Sequence, residues 1–260
     1  MKKTRFAIIG NPISHSLSPT LHNYWFHKYN INAEYESLNI DENQIQDVID
    51  KIKNKEIKGI NVTLPYKKSV IPFLNKIIND ANETHSVNTI MLDDNGSLIG
   101  DNTDVFGFQA AYLKSIPNQE KKNKKALILG AGGVSPSIIL ALSKSNIQNI
   151  SLTNRTYEKS LFLQKKFKNI TLIKWSEYSK KLKEFDFIIN ATSLGLKSND
   201  EFKNDFSNCK KSMVYIDTIY NPAETKMIKY FRSNKIKSLN GLNMFIYQGQ
   251  KSFYLWNKIN

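Results

Sequence analysis

The chain has 260 residues, enough for two modest domains each with its own core. Its formal net charge of +14 is almost all lysine, scattered through 121–125, 165–168, 180–183 and 210–211 without interleaved arginine or a nucleic-acid module, so it points to solvated surface and away from nucleic acid. No apolar run approaches the length of a membrane span, Met1-Lys2-Lys3-Thr4 leads straight into a strand, and the single cysteine, Cys209, excludes an intrachain disulfide; a reducing cytosol is the expected compartment.

Taken in chain order, hydrophobic periodicity predicts a strand over 5–10, a helix from about 18 to 29, a strand over 33–39, a helix from about 42 to 53 and a strand over 59–62. Strands separated by helical stretches imply a parallel sheet. A helix is expected near 67–74. Segments 88–92 and 97–100 then flank Asp93-Asp94-Asn95-Gly96, whose Asn-Gly is a hairpin signal and brings in an antiparallel element. A helix is expected from about Val105, and the polar stretch 117–125 reads as a surface loop. A second alternating series places strands near 125–129, 149–153, 170–174, 185–190 and 213–217. The last helix, from about 242 to 256, follows Asn240-Gly241 and is too long and aromatic for a tail, so it is expected to pack back on the first domain.

The second series opens with the apolar run Ala126-Leu127-Ile128-Leu129, which has the composition of a buried parallel strand, followed directly by Gly130-Ala131-Gly132-Gly133 at a helix start. Gly130 permits a tight turn, Gly132 lets the backbone approach a pyrophosphate, and the N–H groups at the helix start attract the anion. Ser135 stands where the third glycine of Gly-x-Gly-x-x-Gly would be, and Pro136 suits the first helical turn. Such a turn alone is often a plain connector, so the context carries the reading. About twenty residues on, where a site for NAD places Asp or Glu on the ribose 2′-hydroxyl, stand Asn154-Arg155-Thr156. A guanidinium grips a 2′-phosphate that a carboxylate would repel, which points to NADP, with Lys159 one turn later as a second cation. The alternative is that Arg155 is a solvated loop residue.

Three polar clusters sit at element ends in the first part. Ser14-His15-Ser16-Leu17-Ser18-Pro19 offers hydroxyls and N–H groups to a carboxylate, while Ser18-Pro19 also fits an N-cap followed by an N1 proline. In Asn61-Val62-Thr63-Leu64-Pro65-Tyr66-Lys67 a helix is expected from about Tyr66, which puts Lys67 in a first turn against the dipole and marks it as a functional candidate. In Gly100-Asp101-Asn102-Thr103-Asp104 the last residue is either an N-cap or a carboxylate that holds Lys67 for proton transfer. No cluster has metal-ligand spacing, and His15, His22, His27 and His85 read as packing, capping or surface residues.

Together these segments, with Ser86-Val87-Asn88-Thr89, Asn190-Ala191-Thr192-Ser193, 217–222, and Asn240-Gly241-Leu242 with Gln248, resemble the shikimate dehydrogenases along essentially the whole chain. The resemblance implies an α/β fold of two domains separated by a cleft. Residues 1–104 plus 240–260 would form a substrate-binding domain with a mainly parallel sheet, and 105–239 a Rossmann-like NADP-binding domain. By motif, Ser16 and Ser18 with Tyr220 would bind the shikimate carboxylate, and Asn61, Thr63, Asn88 and Gln248 the ring hydroxyls. Lys67 and Asp104 would be the catalytic dyad. Gly130, Ala131, Gly132, Gly133, Asn154, Arg155, Thr156, Lys159, Thr192, Gly241 and Met244 would hold NADP(H), with no metal. The implied reaction is reversible NADPH-dependent reduction of 3-dehydroshikimate to shikimate, in a cytoplasmic monomer or homodimer. The alternatives are a quinate/shikimate dehydrogenase using NAD and a non-catalytic sensor of NADPH or shikimate. Three departures from the usual pattern, Val134-Ser135-Pro136-Ser137, Thr218-Ile219 and Asn243, bear on the cofactor more than on the dyad.

Overall fold

A computed structural model describes residues 2–197, 200 and 202–259. The chain divides into two compact units, Met1–Gly107 with Ile246–Asn260, and Phe108–Phe245.

In the first unit the strands are β1 (Thr4–Gly10), β2 (Ala33–Asn39), β3 (Gly59–Val62), β4 (Lys76–Ile77), β5 (Thr89–Leu92) and β6 (Leu98–Asp101), joined in the order β2-β1-β3-β5-β6-β4. β1 runs parallel to β2 and β3, the β5–β6 hairpin is antiparallel and continues antiparallel to β3, and β4 returns parallel to β6. β3 and β6 are buried along their whole length, so the polar side chains they end in are held inside the protein. Helices α1 (Ser18–Lys28), α2 (Ile45–Lys53), α3 (Asp80–Thr84) and α4 (Asp104–Phe108) accompany the sheet. On α2 the buried residues Ile45, Val48, Ile49 and Ile52 recur at helical spacing and dock on the sheet's core.

The helix expected over 67–74 does not form. Residues 64–70 are turns and only Ile71–Phe73 make a 3₁₀ turn. Pro72 accounts for this, because in a helix interior it removes a backbone donor and clashes with the carbonyl four residues back. Lys67 therefore lies in a turn, and the dipole argument made for it lapses. β4 and α3, of two and five residues, are too short to leave a periodic signature.

The last helix, α9 (Leu242–Asn257), fastens to this sheet through its second half. Trp256 Nε1 donates to Ile90 O at 3.3 Å, and Gly59 makes the approach possible, since a Cβ there would lie 2.3 Å from Trp256 Nε1. Phe6, Phe26, Tyr35, Phe253 and Trp256 pack around it as an aromatic core. His22 lies inside that core, stacked on Tyr35 at 4.4 Å and 6°, and edge-on to Trp25 at 5.2 Å.

Burial pushes the His22 pKa down from 6.5 to about 3. The folded protein thus keeps the ring neutral where the unfolded chain takes up a proton. Its contribution to stability is complete above pH 6.5 and is lost as pH falls from there toward 3. Between pH 7.5 and pH 5 this group alone should cost about 2 kcal/mol of unfolding free energy. Urea unfolding of the parent and of His22→Phe at both pH values checks it: the parent's extra loss over the variant is the quantity expected, and parallel losses would refute it.

The second unit holds β7 (Lys125–Leu129), β8 (Asn149–Thr153), β9 (Ile170–Leu172), β10 (Phe187–Asn190), β11 (Val214–Asp217) and β12 (Lys237–Leu239), all parallel, in the order β12-β11-β10-β7-β8-β9. This is the doubly wound order, with the order of strand addition reversing between β7 and β10, where ligands bind such sheets at the strands' carboxyl ends. The crossovers include α6 (Ser135–Lys144), α7 (Tyr157–Lys166) and α8 (Lys226–Ser233). The stretch expected to be only a surface loop contains α5 (Asn118–Lys121), whose Lys121 is buried and donates to Asn118 Oδ1. Among the described residues no helix is long and apolar enough to cross a membrane.

Candidate active site

Where β3 ends the chain turns at Pro65 and carries Lys67 inward; where β6 ends it runs into α4 and carries Asp104. Lys67 Nζ donates to Asp104 Oδ2 at 2.6 Å, with the two residues 9% and 6% exposed. Asp104 starts α4, but it does not cap it. Asn102 Oδ1 accepts the N–H of Asp104 at 3.0 Å and of Val105 at 3.4 Å, which leaves the Asp104 carboxylate free for the ammonium. The other carboxylate oxygen accepts from Asn88 Nδ2 at 2.9 Å. Asn88 is itself held, donating to Thr103 Oγ1 at 3.0 Å and accepting the Thr103 N–H at 2.8 Å. Withdrawing two opposite charges from water is costly even when they are paired, so this ion pair is weak support for stability and invites a chemical role.

Asn61 lies against the same network. Its Oδ1 accepts from Tyr35 Oη at 2.7 Å, and its Nδ2 faces Asn88 O (3.0 Å), Thr89 Oγ1 (3.1 Å) and Ser252 Oγ (2.9 Å). Both amide hydrogens are thus used within the protein, and one Oδ1 lone pair is the capacity left for a ligand. Thr63 differs: it is half-buried, its methyl packs on Gly10, where a Cβ would lie 2.5 Å away, and its hydroxyl has no hydrogen-bond partner among the described residues. Gln248 is half-buried on α9, one turn before Ser252.

At the start of α1 the cap differs from expectation. The N-cap residue is Leu17, Ser18 is the first helical residue, and Ser16 Oγ accepts the Ser18 N–H at 3.2 Å. The helix thus starts one residue earlier than expected, with Pro19 second in its first turn. Ser18 is buried and its hydroxyl has no hydrogen-bond partner among the described residues. Tyr220 belongs to the second unit, stacked on Phe245 at 4.5 Å and 21°. Tyr35, Thr89, Asn102, Thr103 and Ser252 were not singled out from the sequence. The signal for Ser252 was its i+4 spacing from Gln248 on one helix face.

In the second unit Gly130 adopts φ +109°, and a Cβ there would lie 2.7 Å from Thr192 Cγ2. Gly132 is the informative contrast. A Cβ on it would come no closer to protein than 3.6 Å, from Ala191 O, so packing does not demand glycine and the space beside it can admit a ligand. The turn is braced from both sides. Ser135 Oγ donates to Gly130 O at 2.8 Å and accepts the Gly132 N–H at 3.0 Å, and Asn154 Oδ1 accepts the Ala131 N–H at 3.0 Å. Those two N–H groups are therefore spent internally, and the anion-attracting end is the start of α6, whose N-cap residue Val134 supplies no side-chain bond. Asn154 Nδ2 also donates to Thr156 O at 2.7 Å, tying the loop that carries Arg155 to the glycine turn. Arg155, Thr156 and Lys159 are exposed, and Arg155 makes no ion pair among the described residues.

Thr192 Oγ1 donates to Asn190 Oδ1 at 2.7 Å and accepts the Leu194 N–H at 3.0 Å, so it shapes the loop after β10. Asn190 Nδ2 in turn donates to the buried Asp217 at 3.0 Å, whose carboxyl is pushed up by burial. Gly241 lies directly on the Thr218 backbone, where a Cβ would be 2.2 Å from the carbonyl oxygen, and Met244 beyond it is buried. Among the described residues no group of three His, Cys, Asp or Glu side chains could hold a metal ion.

A family model described as "Shikimate dehydrogenase substrate binding domain" matches residues 8–90, and one described as "Shikimate / quinate 5-dehydrogenase" matches residues 113–243. The chain belongs to the shikimate dehydrogenase family. A protein named "Shikimate dehydrogenase (NADP(+))" from Pelagibacter ubique (strain HTCC1062) is 50% identical over 259 residues, covering 100% of this chain and 95% of that one. The crystal structure of shikimate dehydrogenase from Aquifex aeolicus has a TM-score of 0.91 at 35% identity, covering 99% of this chain and 93% of that one. The shikimate 5-dehydrogenase of Thermus thermophilus, in complex with NADP(H) and shikimate, has a TM-score of 0.87 at 27% identity, covering 98% and 94%. The residues present are compatible with such a cofactor: there is room beside Gly132, and the braced loop carries a guanidinium with no ion pair among the described residues.

Proposed function

We propose that this chain catalyses the reversible NADPH-dependent reduction of 3-dehydroshikimate to shikimate, in the pathway to the aromatic amino acids. The observation that carries the proposal is the buried Lys67–Asp104 pair at 2.6 Å, with Asn88 fixing the second carboxylate oxygen. NADPH, when bound, supplies the hydride. Lys67 gives a proton from Nζ to the substrate's carbonyl oxygen as negative charge collects there, and Asp104 holds the ammonium in place. The hydroxyls of Ser18 and Thr63, unengaged among the described residues, suit a carboxylate and a ring hydroxyl, with Ser16, Tyr220, Asn61, Asn88 and Gln248 completing the substrate contacts. Asn88 contributes chiefly by orienting Asp104, because its own amide is filled.

On the same reading, residues 1–104 with 240–260 bind substrate and residues 105–239 bind NADP(H). The glycine turn would receive the pyrophosphate, and Arg155, Thr156 and Lys159 the phosphorylated ribose. Thr192, Gly241 and Met244 shape the nicotinamide end. A cytoplasmic monomer or homodimer completes the proposal.

The test is absorbance-monitored NADPH formation by the purified protein given shikimate with NADP, with quinate and NAD in parallel arms. Turnover confined to shikimate with NADP is expected. Tight NADPH binding without turnover would replace the proposal with a sensing role.

A further inference from the structure

Ser252 stands on α9, fully buried, at the junction of the two halves of the network around the proposed dyad. Its Oγ lies 2.9 Å from Asn61 Nδ2, 2.8 Å from Thr89 Oγ1, 3.2 Å from Thr103 Oγ1 and 3.1 Å from Gln248 O. A serine hydroxyl has one proton and two lone pairs, so these four neighbours more than fill its three places. Proton accounting gives the network a direction. Asn88 Nδ2 spends its two protons on Thr103 Oγ1 and Asp104 Oδ1, while the two lone pairs of Asn88 Oδ1 receive the Thr103 N–H at 2.8 Å and the Thr89 hydroxyl at 3.1 Å. The Thr103 hydroxyl proton is then available to Ser252, whose other side receives Asn61. One oxygen thus links the amide that faces the substrate hydroxyls to the side chain that aims the Asp104 carboxylate.

We infer that Ser252 is a positioning residue for the reaction, setting the amide of Asn61 and, through Thr103 and Asn88, the carboxylate of Asp104. The inference rests on the shikimate dehydrogenase activity proposed above. With alanine at 252 the helix is undisturbed, since alanine is the best helix former, but Asn61 Nδ2 loses one of its three acceptors and is held only by Asn88 O and Thr89 Oγ1. The Thr103 proton then turns toward Asn88 Oδ1, 3.2 Å away, where it competes with the Thr89 hydroxyl. The arrangement that presents Asp104 Oδ2 to Lys67 is no longer over-determined. Residues assigned to the cofactor are untouched.

The experiment compares Ser252→Ala with Phe253→Leu, a neighbour on α9 that packs in the aromatic core with Tyr35 and forms none of the network's hydrogen bonds. Two quantities are read: steady-state kinetics with shikimate and NADP, and solvent hydrogen exchange of the Asn61 and Asn88 side-chain amides in the ligand-free protein by NMR. In Ser252→Ala, kcat should fall about tenfold with KM for NADP unchanged, and the amide protons should exchange about tenfold faster. Phe253→Leu should change neither, even where it lowers Tm as much. Unchanged kcat in Ser252→Ala overturns the positioning role, as does an equal effect in Phe253→Leu. If the parent itself does not oxidise shikimate, the proposed activity falls; unaltered exchange then overturns the Ser252 inference too, while faster exchange confined to Ser252→Ala upholds its hold on Asn61 and Asn88.

Discussion

In Lys67→Ala, kcat for shikimate oxidation falls by about a hundredfold to ten-thousandfold, with shikimate and NADP binding weakened far less. The size follows from what the side chain does. A positioned acid acts most strongly where charge develops, so its removal raises the barrier more than it weakens the ground-state complex. The geometry makes substitution by solvent difficult, because both members of the pair are more than nine-tenths buried and the carboxylate is already engaged by Asn88. The variant also leaves Asp104 buried without its cation, which destabilises the fold, so thermal unfolding must accompany the kinetics. Lys67→Met keeps the apolar stem and should show the same loss of kcat. Asp104→Asn, which keeps the volume and removes the charge, should fall in the same direction. Turnover equal to the parent's in folded Lys67→Ala would remove Lys67 from the mechanism.

Which parts of this were legible in the sequence depended on how many neighbours each residue needed to reveal itself. β7 read correctly because a strand buried on both sides shows as an unbroken apolar run, Ala126 to Leu129, and Asn95-Gly96 marked the β5–β6 hairpin because Gly96, at φ +78°, occupies a conformation that glycine favours. The failure over 67–74 came from weighing apolar spacing above Pro72, which costs a helix interior more than spacing returns. At Asp104 the sequence left two roles open. The structure separates them because the capping oxygen belongs to Asn102, two residues earlier, and a choice between adjacent polar residues depends on backbone dihedrals that composition does not encode. Ser252 was opaque for a different reason. Its partners come from positions 61, 89 and 103, distant in sequence, and a lone serine in an aromatic helix reads as filler until the sheet is folded beneath it.

Arg155→Ala should reduce the preference for NADP over NAD by about ten- to a hundredfold, the scale of losing a charge-assisted hydrogen bond. The position is suited to this because its loop is not free to wander. Asn154 is bonded to the glycine turn through Ala131 and to the loop through Thr156, so the residue between them is carried at a set place relative to the turn. Its guanidinium makes no ion pair among the described residues, in contrast to Arg5, which is paired with Glu34 and Glu36, and Arg232, paired with Glu224. An arginine bound to a neighbouring carboxylate would have to give up that partner to take a phosphate; among the described residues Arg155 has none to give up. Lys159, a turn further on, supplies charge without the planar fork, so Lys159→Ala should cost less than Arg155→Ala. The discriminating quantity is the ratio of kcat/KM for NADP to that for NAD, measured with saturating shikimate. Loss confined to the NADP side assigns Arg155 to the 2′-phosphate. Equal losses with both cofactors would make it a general support of the loop, and an unchanged ratio at full activity would return it to the solvated surface.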